Sequence, residues 1–155
     1  MAFTSYTQLV SEMNKRTTIA VKNTSEKLCE KLKELIQTEY YNQYDPTSYI
    51  PRTYKFLESA VAKMVTDSTA TIGIDDSYFD YEYPTGYISK SANITKEDNV
   101  HFTGEDNLEL SSRGYHGSAY IRTDGRWWDS FIEYCDKNAR QILCNELKKQ
   151  GVIIK

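Results

Sequence analysis

Tyr40-Tyr-Asn-Gln-Tyr44-Asp-Pro46-Thr-Ser-Tyr49-Ile-Pro51-Arg52-Thr53-Tyr-Lys-Phe-Leu57 divides the chain into a helical part and a mixed part. It holds five of the thirteen tyrosines and two of the three prolines. Pro46 and Pro51 each remove a backbone donor and push Asp45 and Ile50 out of helical geometry. The stretch is therefore an elbow lined with rings that are apolar in the body and polar at the tip. Such rings close a core, which is the commoner use of loop aromatics, or form a contact surface.

Upstream of the elbow there is no glycine or proline, and residues 7–43 are rich in Lys, Glu and other helix formers. Leu28, Leu32, Leu35 and Ile36 fall at i, i+4, i+7 and i+8, one apolar stripe. Further upstream the stripe thins to Leu9, Val10, Met13, Ala20 and Val21. One continuous helix here would be roughly 55 Å long, and a compact domain of this size is only about 40 Å across. The helix must then break or protrude. Asn23 followed by Glu26 has the spacing of a cap and marks the expected break. Without a break, Leu9, Val10 and Met13 need a neighbouring chain to cover them.

Downstream, Tyr54, Leu57, Val61 and Met64 fit a short second helix at i, i+3, i+7 and i+10. Thr69–Ile74 reads as a strand rich in β-branched residues. After a turn at Asp75-Asp76-Ser77, Phe79, Tyr81 and Tyr83 alternate with acidic residues, as in a half-buried strand pairing with it as a hairpin. Residues 84–125 have no clear period and read as a mobile insertion. Within it, Val100–Phe102 and Ala119–Arg122 are candidate short strands. From about Trp127 to Lys149 a broad apolar face runs through Phe131, Cys135, Ala139, Ile142 and Leu147, a C-terminal amphipathic helix stopped at Gly151. Val152–Ile154 is a candidate terminal strand. The expectation is an α+β fold, one domain over residues 1–155. It has a long N-terminal helix, a short second helix, a small and mostly antiparallel sheet, and the C-terminal helix.

A chain of 155 residues buries an ordinary core. Net charge is −3, and residues 73–126 carry ten acidic side chains against five basic ones, so phosphates are repelled and sequence-specific nucleic-acid binding is not expected. Three cysteines stand far apart in no ligand spacing, the pattern of a reducing compartment without a disulfide framework. No signal-peptide pattern and no long apolar run are present, so no membrane span is expected.

Signs of catalysis are thin. His101 and His116 lack metal-ligand spacing, so neither a metal nor a cofactor is expected. Asp75, Asp76, Asp80 and Glu82 do not have the spacing of a calcium loop. No phosphate loop, dinucleotide fingerprint or nucleophile elbow occurs. Trp127-Trp128 opens the last helix. One ring reads as a core anchor, and the other is left near the rim, where interface hot spots often lie.

The motif Tyr40-x-x-x-Tyr44-x-Pro46-x-x-Tyr49-x-x-Arg52-Thr53-x-x-x-Leu57 follows a long charged helix. Later come His116-Gly117, then Trp128-Asp129-x-Phe131 and a helix ending near Gly151. Together these resemble the neck, head–tail connector and tail-completion proteins of long-tailed bacteriophages and prophages. The family's arginine follows a tyrosine closely; here Ile50-Pro51 intervene between Tyr49 and Arg52. The resemblance implies a non-enzymatic virion subunit, assembled in the host cytoplasm. It would form a homo-oligomeric ring, six-fold or twelve-fold, between the connector and the tail tube. Tyr40, Tyr44, Pro46, Tyr49, Arg52, Thr53, His116, Gly117, Trp127 and Trp128 are the candidate motif and interface residues. Arg52 is either a pin between subunits or an intrachain lock on the elbow. Other phage minor capsid or tail-assembly proteins are the nearest alternative. A small hydrolase or nuclease using His101 or His116 is a more distant one.

Overall fold

The computed structural model describes residues 5–43, 54–79, 81–83, 100–114 and 125–154. The fold is α+β. Helix α1 spans Tyr6–Leu35 without interruption and runs on into a π-turn at Ile36–Tyr40 and a 3₁₀ turn at Tyr41–Gln43. The expected helix over residues 7–43 is therefore present, but it does not break at Asn23. Instead the Asn23 amide reaches sideways to the Glu146 carboxylate at 3.3 Å. The chain departs from α-geometry only after Leu35, where the π-turn places an extra residue in the turn.

The remaining elements are α2 (Lys55–Glu58), β1 (Ala60–Thr66), β2 (Thr69–Ile74), a 3₁₀ turn (Asp76–Phe79), β3 (Tyr81–Tyr83), β4 (Val100–Phe102), α3 (Gly104–Ser112) and α4 (Trp127–Lys149). The expected short second helix is present, but three details differ from the expectation. The helix is a single turn that stops at Glu58, and Val61 and Met64 lie in strand β1. Strand β2 pairs with β1 and not with the Tyr78–Tyr83 segment, which begins as a 3₁₀ turn and gives only the short β3. Val152–Ile154 forms no strand. A two-residue connection, Asp67-Ser68, closes β1 onto β2 as a hairpin, the simplest pairing open to β2. The expected strand Val100–Phe102 is present and pairs antiparallel with β3, Tyr81 opposite Phe102 and Tyr83 opposite Val100. The stretch 84–125 is not structureless throughout, since it contributes β4 and the nine-residue α3. The candidate strand Ala119–Arg122 lies outside the described residues.

Packing sorts the chain into two compact units. The first comprises Met1–Leu35, Ala60–Gly73 and Trp128–Lys155; the second comprises Ile36–Ser59 and Ile74–Trp127. In the first, the later turns of α1 bury Ala20, Leu28, Cys29, Leu32 and Leu35. The Cys29 thiol donates to the carbonyl of Ala60 on β1 at 3.3 Å, and burial raises its pKa.

Three side-chain bridges tie α1 to α4 in this unit. Arg16 Nη1 donates to the Gln150 carbonyl at 3.0 Å, Lys27 meets Glu146 at 2.5 Å, and Lys31 lies 5.2 Å from the centre of the Tyr134 ring. Partners on α4 descend as α1 ascends, so the helices run antiparallel. Helix α4 ends where the sequence puts its stop. Gly151 has φ 75°, Val152 N–H donates to Leu147 O at 3.0 Å and Gly151 N–H to Lys148 O at 2.9 Å. That pair of bonds is a Schellman close, which needs a residue at positive φ.

The second unit is built on rings. Phe56 lies 5.1 Å from Tyr40 and 5.0 Å from Trp127, both edge-on, and Tyr41 lies 5.1 Å from Tyr54. Offset and edge-on pairs of this kind add about 0.5–1.5 kcal/mol each beyond area burial. Tyr54 adopts the left-handed conformation (φ 55°) just before α2, and its carbonyl accepts from Leu57 and Glu58.

Candidate functional site

Helix α1 changes character along its length. From Ala20 onward its inner face is buried, but Tyr6 is 81% exposed and Leu9, Val10 and Met13 between 36% and 38%. These four fall at i, i+3, i+4 and i+7, and the same steps lead through Thr17 to Ala20 and Thr24, so one stripe is continuous along the helix. What changes is the covering. Arg16 already meets Gln150 at the end of α4. The ten residues Tyr6–Lys15, roughly 15 Å of helix, therefore reach past the last turn of α4. An amphipathic stripe with no covering element is the most distinctive surface among the described residues.

The surroundings of this stripe are nearly neutral. Glu12 is the sole charge between Ser5 and Asn14, and it is tied to Arg16 at 2.9 Å. That bond, made mainly with the Arg16 side chain, lowers the Glu12 pKa. The hairpin in the same unit is also poorly covered. Lys63 through Thr69 are all exposed, Val65 to 63%.

Of the motif residues read from the sequence, Tyr40, Trp127 and Trp128 are described. Tyr40 is half-buried against Tyr41 and Phe56. Trp127 is 1% exposed and its indole N–H donates to the Ser111 carbonyl at 3.3 Å. Trp128 is half-buried, 5.5 Å from Phe131. Tyr40 and Trp127 thus share Phe56 as a packing partner, and Trp128 belongs to the other unit. Tyr44, Pro46, Tyr49, Arg52, Thr53, His116 and Gly117 lie outside the described residues.

A charge cluster that the sequence analysis passed over lies between α1 and α4. Glu146 is 2% exposed. It accepts from Lys149 at 2.8 Å, Lys27 at 2.5 Å and Asn23 at 3.3 Å. The bonds from Lys149 and Lys27 outweigh the cost of burial and lower its pKa to about 2, while Lys27 is raised chiefly by the same bond. Its sequence signal is an acid on an apolar face, four residues after Ile142 and three after Leu143. Two open concavities of about 510 and 410 Å³ flank the cluster, but Lys27 and Lys149 in their walls are already committed to Glu146. The arrangement fastens two helices and presents no nucleophile with a base beside it.

Among the described residues, no group of three or more His, Cys, Asp and Glu is placed to hold a metal ion, and no helix is long and apolar enough to cross a membrane. No curated protein and no solved structure matches the chain. The YomN family model matches residues 5–150, from the exposed start of α1 to the end of α4. The chain belongs to the YomN family.

Proposed function

We propose that this chain is a structural subunit of a long-tailed bacteriophage or prophage particle, joining a ring at the head–tail neck or at the top of the tail. The observation that carries the reading is the uncovered first part of α1. Tyr6, Leu9, Val10 and Met13 form a regular exposed stripe on a helix that runs on past the last turn of α4. A monomer gains nothing from exposing such a stripe, whereas a subunit uses it to meet a neighbour. The resemblance of the Tyr40–Leu57 stretch and of the Trp128–Phe131 segment to neck and tail-completion proteins points to which assembly that is. Arg52 and the elbow tyrosines are proposed to contact or brace the neighbouring connector or tail-tube protein.

The test is genetic and compositional. A nonsense mutation in the gene should yield filled heads and finished tails that remain separate, and the protein should be found by mass spectrometry in purified wild-type particles. Infectious, joined particles made without the protein would overturn the proposal.

A further inference from the structure

We infer that the outer edge of β2 pairs antiparallel with the same edge of a second copy of this chain, joining two two-stranded hairpins into one sheet. The two edges of the hairpin differ. Ser59 O accepts from Asp75 N–H at 2.8 Å, so the Ser59 carbonyl points toward the β2 side. Ala60 belongs to β1, and the carbonyls on either side of an extended residue point opposite ways. The Ala60 carbonyl therefore points out of the hairpin, and there it accepts from the Cys29 thiol of α1 at 3.3 Å. Helix α1 thus stands on the outer side of β1 at its start, and Ala60 is 2% exposed. On β2 the same alternation turns the Asp75 N–H inward and the N–H and C=O of Ile74 and Ile72 outward. Among the described residues no strand lies on that side, since the sheet ends at β2.

This edge lacks the features by which sheets discourage pairing. Thr69–Ile74 holds no charge and no proline, whereas β1 carries Lys63 at its middle. Gly73 has no atom within 4 Å of where a Cβ would sit. A glycine inside a strand often marks the close approach of another backbone. The strand is also its own complement, which is what selects a second copy as the occupant. With Ile72 on the two-fold axis, Ala70 faces Ile74 and Thr71 faces Gly73, a smaller residue against a larger one in each pair. Paired residues share a face, so the exposed Thr71 of one copy fills the open space over Gly73 of the other. No charge within the strand meets its like. A contact between identical surfaces closes on itself at two copies. It also gives a hairpin that is marginal alone the further strands it needs.

This contact goes beyond the ring reading and does not rest on it, because the stripe on α1 takes no part. Its test is a disulfide that depends on register. Thr71 and Gly73 of opposite copies form a non-hydrogen-bonded pair with Cα atoms about 4.5 Å apart, within the roughly 4.4–6.8 Å that a disulfide spans. Like positions of the two copies are diagonal neighbours, about 7–8 Å apart. Full-length Thr71→Cys and Gly73→Cys chains are mixed and oxidised with copper phenanthroline, and bridged peptides are identified by mass spectrometry. That readout separates a bridge between positions 71 and 73 from any bridge through Cys29, Cys135 or Cys144. Both variants are expected to fold, since one replaces an exposed side chain and the other fills open space. The mixture should give the bridge between positions 71 and 73, and either variant alone should give little bridging at its new cysteine. Absence of that bridge from the mixture, or equal bridging in each variant alone, would overturn the inference. A second measurement uses a chain carrying Leu9→Ser and Met13→Ser, so that the α1 stripe contributes nothing. Light scattering should give the dimer mass for this chain and the monomer mass once Thr71→Lys is added, with circular dichroism unchanged. A parent that stays monomeric at millimolar concentration, or a Thr71→Lys chain that keeps the dimer mass, would also overturn it.

Discussion

Glu146 owes its ionisation to Lys149 and Lys27, and the direction of its shift fixes a pH dependence. Its pKa in the folded chain is about 2 against an ordinary 4.5. A carboxyl lowered on folding contributes stability that is fully present above its unfolded value and is lost as pH falls through the folded one. Melting temperature should therefore hold above about pH 5 and decline from about pH 4.5 toward pH 2. Glu146→Gln should lower it near neutrality and flatten that decline, a comparison that thermal melts across pH would check. Lys27 works at the other end, its contribution lost only as pH rises through a value above 10.5. Two glycines make a second comparison. Gly125 has φ 63°, and a Cβ there would come within 2.5 Å of both Gly114 N and Ser112 O, which are backbone atoms that cannot step aside. Gly151 also has positive φ, but its added Cβ would meet only the end of the Arg16 side chain at 3.1 Å. Gly151→Ala is expected to cost about 1–2 kcal/mol, the left-handed penalty alone. Gly125→Ala should cost about 1–3 kcal/mol more, from the clash. Urea unfolding of the two variants would rank them.

At the scale of elements, adjacent tryptophans have different weights. Trp127, buried beside Phe56 and bonded to Ser111, should lose about 3–5 kcal/mol on truncation to alanine, and half-buried Trp128 distinctly less, again by urea unfolding. Both α1 and α4 are legible in the sequence because their apolar stripes run for several turns and Gly151 supplies an unambiguous stop. Strand β1 is not. Tyr54, Leu57, Val61 and Met64 match a helical period, but a short apolar run fits either period, and the deciding signal is the Asp67-Ser68 turn with Val61, Val65 and Thr66 before it. Helix α3 is hidden for another reason. Its Ser and Asn residues are weak helix formers, so only the capping-box spacing of Thr103 and Asp106 marks its start. The uncovered stripe on α1 is legible as a stripe, but its exposure depends on where α4 ends against it, at Arg16 and Gln150, which no local pattern encodes.

For the whole molecule, surface and stability are expected to separate. Leu9→Ser and Met13→Ser touch a face that no described element covers, so each should change unfolding free energy by less than about 0.5 kcal/mol while reducing the mass of the assembly measured by light scattering. A large loss of stability in the isolated chain would mean that the stripe belongs to the chain's own core. One further property follows from where the division between the two units falls. It lies between Trp127 and Trp128, so the only two indoles in the protein sit one on each side of it. The chain carries an intrinsic fluorophore for each unit. Trp127→Phe leaves emission from the first unit alone, and Trp128→Phe leaves emission from the second. If both single-indole proteins, and circular dichroism, lose their native signal at one denaturant concentration, the units melt as one cooperative body. Two midpoints would identify which of them lets go first.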